Sequence, residues 1–276
     1  MQRSYNCRPM DFGPVLDRIG YDGPLEATTA VLDGLHRSWV LAVPFENLDI
    51  HLGRPILLEE RRFFDKIVRD RRGGFCFEMN GLFAALLRAI GFDVTLLAAR
   101  VFGADSAPGR EFAHLCLHVN TPAGRYLADV GFGDAFARPL VLEPGLEHAI
   151  EGSRYRIVTD DSGLLMQQQN AEHQWQSRYA FTLMSRQMSD FAFMCGDFQT
   201  NPESAFRKRV MCTRMTPTGR LTLAGTKLIV TERGERRESM IPDVATFTHL
   251  MHDRFGIDLP RDAIARLWQA SAVEQA

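Results

Sequence analysis

One cysteine lies in a local sequence that could make its thiol a nucleophile. Cys76 follows a glycine pair in the segment RGGFCFE, residues 72–78. The glycines allow a tight turn, so we expect Cys76 at the N-terminus of a helix. Peptide dipoles and unpaired N–H groups there favour the nucleophilic thiolate and could stabilise an oxyanion. The alternative is a small buried apolar residue, which is the usual state of a free cysteine.

A nucleophilic cysteine needs a base and a group that orients the base. His114 begins one strand-like segment, and Asp129 ends the next one, after a turn at 120–124. Antiparallel pairing would bring the two ends together, and the carboxylate would then fix the imidazole tautomer and raise its basicity. Taken singly, His114 could be a half-buried strand residue and Asp129 a residue that satisfies turn N–H groups.

Two other residues of the first strand bear on this assignment. His118 lies four residues after His114 and shares its face, which makes it the rival base. Its expected position opposite Arg125 is farther from Asp129, so we favour His114. Cys116 is expected on the opposite face, as part of the core.

The elements that must position these residues change in kind along the chain. Helical spacing of apolar residues gives way to short runs rich in β-branched and aromatic residues. The predicted helices are 12–19, 25–43, 57–68, 75–90, 243–255 and 261–270. The predicted strands are 94–101, 113–119, 126–130, 154–158, 164–168, 179–181, 210–212, 221–223, 227–231 and 238–241. The polar tract 167–176 is predicted to be an exposed turn.

Composition constrains the protein's class more than its partners. The 276 residues are 45% hydrophobic and 24% charged, which is typical of a globular protein. The net charge of -2 gives no reason to expect a nucleic-acid or anionic-membrane partner. No apolar stretch is long enough for a membrane helix, and the first residues lack a secretory h-region. The five scattered cysteines form no C-x-x-C pair. We therefore expect a cytoplasmic protein with no bound metal.

Several motifs together resemble those of the arylamine N-acetyltransferases. Residues 72–78 are similar to the family's hallmark R-G-G-x-C-x-E, and the 15-residue spacing from His114 to Asp129 also agrees. Further similar segments are RIGY at 18–21, PFENL at 44–48, NG at 80–81, DVGFG at 129–133 and NPESAF at 201–206. The last of these has Ala205 where proline is commoner. The resemblance spans nearly the whole chain.

The resemblance implies an α+β fold with a papain-like core in three parts. These are a helical bundle carrying the nucleophile (1–91), an antiparallel β-barrel carrying the histidine and aspartate (92–200), and an α/β lid with an interdomain segment (201–276). It implies a ping-pong transfer of acetyl from the co-substrate acetyl-CoA to the nitrogen of an arylamine or arylhydrazine, as in xenobiotic metabolism. Acetylated Cys76 is the implied intermediate, and His114 and Asp129 complete the implied triad.

Further residues acquire roles only from the resemblance. Phe45, Phe132 and Phe206 match positions that line the acceptor pocket, although each could equally be ordinary core. Gly131 and Gly133 match a loop that could let CoA approach the backbone closely.

Charged residues and the overall function retain alternatives at this point. Glu46 and Arg72 match a buried ion pair that supports the site, whereas the bare sequence suggests solvated charges. The basic run 207–209 could meet CoA phosphates or could simply be solvated. A cysteine hydrolase or transglutaminase-like enzyme with the same triad, and a non-catalytic binding protein on this fold, remain open. The oligomeric state is not predicted.

Overall fold

The computed structural model describes residues 10–103, 106–134, 136–161 and 163–273. Residues 1–9 lie outside this range. They include Cys7 and the first residues, for which no secretory h-region was predicted. The α-helices are α1 Gly13–Ile19, α2 Thr29–Ala42, α3 Leu48–Leu52, α4 Glu60–Phe64, α5 Cys76–Ile90, α6 Ala192–Thr200, α7 Ala205–Lys208, α8 Val244–Phe255 and α9 Arg261–Val273. A π-helix at Asp65–Arg69 continues α4, and a 3₁₀ turn at Met188–Phe191 precedes α6.

The strands follow the helical first third of the chain. They are β1 Phe45–Glu46, β2 Asp93–Val101, β3 His114–Thr121, β4 Gly124–Ala128, β5 Leu140–Val141, β6 Glu147–Ile150, β7 Ser153–Asp160, β8 Gly163–Gln169, β9 Trp175–Phe181, β10 Met211–Thr216, β11 Gly219–Ala224, β12 Lys227–Glu232 and β13 Glu235–Met240. Helices packed on antiparallel sheets confirm the predicted α+β class.

Two antiparallel sheets organise these strands. The larger has eight strands in the order β5-β4-β3-β2-β9-β8-β7-β6. His148 in its last strand lies against the backbone of Val141 in its first, so the sheet is nearly closed into a barrel. The smaller has the order β1-β10-β11-β12-β13, and its β1 comes from the helical part of the chain. This pairing ties the segment before Cys76 to the C-terminal third.

Helix α5 is the central element of the first hydrophobic cluster. Its residues from Cys76 to Leu87 are all buried, because the barrel and the other N-terminal helices cover it on every side. Such a helix has apolar residues around most of its circumference, as the sequence from Leu82 to Leu87 shows. The rigid packing of α5 fixes the position of its first residue.

Some elements differ from the sequence prediction. Residues 167–169 and 175–176 of the polar tract belong to β8 and β9, so only 170–174 form a turn. Their partly exposed positions on paired strands accommodate polar side chains. The short elements α3, α7, β1, β5 and β6 and the helix α6 were not predicted. Among the described residues, no helix combines the length and apolarity needed to cross a membrane.

Candidate active site

A close backbone contact places Cys76 at the first position of α5, as predicted. A side chain at Gly73 would meet the carbonyl oxygen of Pro44 at 1.8 Å, so only glycine fits there. The Phe75 N–H donates to the Glu78 carboxylate at 3.1 Å, which caps the first turn. The glycine turn and the cap together direct the chain into the helix at Cys76.

The environment of the Cys76 thiol has opposing effects on its ionisation. The residue is only 2% exposed, and burial, followed by the negative charge of Asp129, raises the pKa of the thiol. Backbone N–H groups of Leu115 and Phe77 act in the opposite direction. Burial thus opposes the thiolate that the N-terminus of α5 was expected to favour. A base beside the thiol would assist its ionisation.

The structure brings His114 and Asp129 together. Nε2 of His114 lies 2.7 Å from Oδ2 of Asp129, and both residues are buried. Pairing of β3 with β4 places Leu117 opposite Ala128, so the residue after β4 lies beside the beginning of β3. Because the thiol accepts from the Leu115 N–H, Cys76 also lies against this end of β3.

Several donors stabilise the Asp129 carboxylate in its ionised form. Asn80 Nδ2 and the Gly131 N–H donate to Oδ1 at 2.9 and 3.0 Å. Burial opposes ionisation, but His114 and these donors hold the pKa of Asp129 below its usual value. Asn80 also accepts from the Val130 N–H at 3.0 Å. Sequence reasoning noted Asn80 only as part of a motif and assigned it no role.

Tyr179 and Phe132 enclose the imidazole of His114. Both ring centroids lie 5.2 Å from that of His114. Tyr179 is fully buried, and burial together with the charge of Asp129 raises the pKa of its hydroxyl. Tyr179 was predicted only as a strand residue, because nothing local in β9 indicates a partner in β3.

Two further residues of β3, His118 and Cys116, differ from their expected positions. His118 pairs with Leu127 rather than lying opposite Arg125, and its Nε2 has no hydrogen-bond partner. Cys116 was predicted on the face of the strand opposite to His114, and this prediction was wrong. Side chains in a strand alternate with period two, so Cys116 shares the face of His114 and packs in the second hydrophobic cluster.

A small cavity lies beside Asp129. Phe45 and Phe132 line it, while Phe206 packs on Phe45 with centroids 6.1 Å apart. The volume is about 20 Å³, which is room for one water molecule and too little for an arylamine. Binding of an aromatic amine here would require side chains to move.

The two glycines after Asp129 differ in their surroundings. A Cβ on Gly131 would lie 2.9 Å from Cys76 Cα and 2.7 Å from Asn80 Nδ2, so Gly131 permits close packing on α5. Gly133 lines the cavity with φ +81, and Arg220 of β11 donates to its carbonyl. The close approach at Gly131 is therefore to the protein's own backbone.

Glu46 and Arg72 form the expected pair within a larger buried network. Arg72 Nη2 lies 2.7 Å from Glu46 and 3.2 Å from Asp49, and Lys66 Nζ lies 2.9 Å from both Asp49 and Glu78. Burial raises the pKa of Glu78 to about 7, against the opposing charge of Lys66. Lys66 and Asp49 were not predicted, because charged residues in isolation look like solvated ones.

Two residues of the basic run 207–209 bind other groups of the protein. In the basic run, Lys208 pairs with Glu203, and Arg207 donates to the Gln199 carbonyl at 3.0 Å. Within the described parts of the chain, no three His, Cys, Asp or Glu residues are placed to hold a metal ion.

Known proteins resemble this chain over most of its length. The family profile described as N-acetyltransferase matches residues 28–264. The arylamine N-acetyltransferase / N-hydroxyarylamine O-acetyltransferase of Salmonella typhimurium is 36% identical over 235 residues, or 83% of each chain. The arylamine N-acetyltransferase of Escherichia coli is 34% identical and covers 87% of this chain and 86% of its own.

Solved structures agree with the sequence relatives. The arylamine N-acetyltransferase of Mycobacterium marinum superposes with a TM-score of 0.89 at 33% identity, over 95% of this chain and all of that one. The same enzyme in complex with CoA gives 0.88 at 33% identity, over 95% and 98%. Profile, relatives and fold agree with one another, and the chain is therefore an acyltransferase that belongs to the arylamine N-acetyltransferase family.

Proposed function

We propose that the enzyme transfers an acetyl group from acetyl-CoA to the nitrogen of an arylamine or arylhydrazine, through an acetylated Cys76. The single observation that carries the proposal is the 2.7 Å pair of His114 and Asp129 next to a cysteine at a helix N-terminus. The names of the relatives and the complex of one of them with CoA support the choice of donor and acceptor.

In the first half-reaction, His114 takes the proton of the Cys76 thiol. Because Nε2 is engaged by Asp129, Nδ1 is the nitrogen that exchanges this proton. The thiolate attacks the carbonyl carbon of acetyl-CoA, and N–H groups of the first turn of α5 stabilise the oxyanion. CoA leaves as a thiolate and takes the proton back from the imidazolium.

In the second half-reaction, the amine nitrogen attacks the acetyl carbon on Cys76. An arylamine is a weak nucleophile, so His114 removes its proton as the N–C bond forms, an effect typically worth about 10²–10⁴-fold. The Cys76 thiolate leaves and is protonated by His114. Asp129 stabilises the imidazolium in both halves. The burial of Cys76 excludes water, which would otherwise hydrolyse the thioester.

Mass spectrometry after incubation with acetyl-CoA tests the proposal. We expect one acetyl adduct on the Cys76 peptide, lost on addition of an aniline with formation of the acetanilide. Cys76→Ser should form no adduct, while the matched control Cys195→Ser, which alters another buried thiol, should form it normally. A cysteine hydrolase or a non-catalytic protein would give no adduct that an aniline discharges, and that outcome refutes the proposal.

The domain limits 1–91, 92–200 and 201–276 and the substrate contacts of Phe45, Phe132 and Phe206 remain proposals as well. Phe45 and Phe132 at the cavity beside Asp129 support the acceptor site. Gly133, which also lines that cavity, is the better placed of the two loop glycines to meet the donor.

A further inference from the structure

A buried histidine outside the proposed triad contacts the backbone of Asp129. His36 lies in α2 and is 0% exposed. Its ring stacks on Phe136 with centroids 5.7 Å apart and meets the edge of Phe83 at 6.0 Å. These contacts leave the ring little freedom, so the direction of its two nitrogens is set by packing.

Both nitrogens of His36 have main-chain partners. Nδ1 lies 3.1 Å from the Ala137 carbonyl oxygen, and Nε2 lies 3.1 Å from the backbone nitrogen of Asp129. A carbonyl oxygen can only accept and an amide N–H can only donate. The ring must therefore be neutral, with its proton on Nδ1 and a lone pair on Nε2.

Burial favours the same state. It lowers the pKa of His36 to about 4, although the Ala137 carbonyl and the negative charge of Asp129 oppose the shift. The imidazole of His36 is therefore uncharged near pH 7. Protonation would remove the Nε2 lone pair that accepts from the Asp129 N–H.

The two partners of His36 are the backbone of Asp129 and of Ala137, which lie before and after Gly131 and Phe132 in the chain. Strand β4 ends at Ala128, so the next N–H has no partner in the ladder and His36 supplies one. The side chain of Asp129 is held by Asn80 and His114, whereas its backbone is held by His36.

We propose that His36 is a positioning residue, whose neutral imidazole clamps the backbone of Asp129 and Ala137 and thereby sets the Asp129 carboxylate against His114. This inference rests on the proposed function of Asp129 as the orienter of the base. A misplacement of about 1 Å in a catalytic site can cost about 10²-fold in rate, even when the residue that causes it touches no substrate.

Two isosteres of His36 separate its two hydrogen bonds. The His36→Gln amide oxygen can reach the Nε2 position and accept from the Asp129 N–H. The shorter His36→Asn amide reaches only the Nδ1 position and keeps the bond to Ala137. We expect His36→Asn to lower kcat about 10- to 100-fold with little change in the KM for either substrate. The kcat of His36→Gln should be at least about tenfold higher than that of His36→Asn.

A purely structural role predicts a different pattern. In that case the two variants would lose kcat equally, in proportion to their loss of thermal stability, and the inference would be overturned. Wild-type acetylation of Cys76 is measured first, because its absence refutes the proposed function rather than the role of His36. Normal wild-type acetylation with two fully active variants refutes the role of His36 alone.

A measurement on the unmodified enzyme keeps the inference testable if a variant fails to fold. Imidazole ¹⁵N chemical shifts at neutral pH should show His36 with a protonated Nδ1 and an unprotonated Nε2. The opposite tautomer or an imidazolium would overturn the inference, since neither can accept from the Asp129 N–H.

Discussion

Replacing Arg72 by methionine tests whether the buried ionic network supports the fold. Arg72 is 3% exposed, and its guanidinium donates to Glu46 at 2.7 and 3.0 Å and to Asp49 at 3.2 Å. Glu46 is fully buried, and after the change it would keep the weaker contact to Lys66 at 3.6 Å and the Leu48 N–H at 2.7 Å. Removing one partner of a buried ion pair typically costs about 3–5 kcal/mol.

A surface ion pair with the same distance provides the matched control. Arg154 and Glu147 are also 2.7 Å apart, but their side chains are 55% and 44% exposed, against 4% and 0% for Arg72 and Glu46. Exposed pairs contribute about 0–1 kcal/mol, because water and salt screen them. Arg154→Met should therefore change the stability little.

Thermal unfolding followed by circular dichroism measures the difference. For a chain of this size class, about 1 kcal/mol shifts the midpoint by roughly 2–4 °C. Arg72→Met should thus unfold roughly 6–20 °C below the wild type, and Arg154→Met within about 4 °C of it. Equal midpoints for the two variants would refute the argument from burial. The Arg72→Met protein that remains folded should still acetylate Cys76.

Three further predictions concern the site. Asp129→Asn should lower kcat by up to about 10⁴-fold through the wrong imidazole tautomer, while His118→Ala stays close to wild type; full activity of Asp129→Asn in steady-state assays would remove the orienter assignment. Phe45→Leu should raise the KM for an aniline about fivefold, for the loss of about 1 kcal/mol of ring contact, with the KM for acetyl-CoA as the internal control; an unchanged aniline KM would place the acceptor elsewhere. As the pH is lowered from 6.5 to about 4, the free energy of unfolding should decrease by about 3 kcal/mol in total, because His36 binds a proton in the unfolded chain and not in the folded one. The urea midpoints of the wild type and His36→Gln should therefore converge as the pH falls. A constant gap between them would contradict this.

Local signals predicted the parts of the site that are close in sequence. The glycine pair predicted the beginning of α5 to within one residue, Phe75 against the observed Cys76. The turn between β3 and β4 predicted that His114 and Asp129 would meet, because a hairpin relates two residues 15 positions apart by simple pairing geometry. These predictions depend on backbone chemistry that a short segment specifies by itself.

The missed elements depend on distant partners. Strand β1 has only two residues and exists because it pairs with β10, far along the chain. Helix α6 includes Phe193, which is 73% exposed, so its apolar residues do not follow the spacing of a buried face. The buried state of Lys66 arises because carboxylates from β1, α3 and α5 converge on it.

The same distinction explains why the support of Asp129 was not visible in the sequence. His36 lies 93 residues from Asp129, and Asn80 lies 49 residues from it. Within α2, His36 occupies a position on the apolar face, where a core residue would serve equally well for folding. Only the end of β4 beside that face gives its imidazole an N–H to accept from. The orientation of a carboxylate on the barrel therefore depends on the tautomer of a helix residue, and a change that preserves the packing of α2 but removes the lone pair should slow the reaction without unfolding the protein.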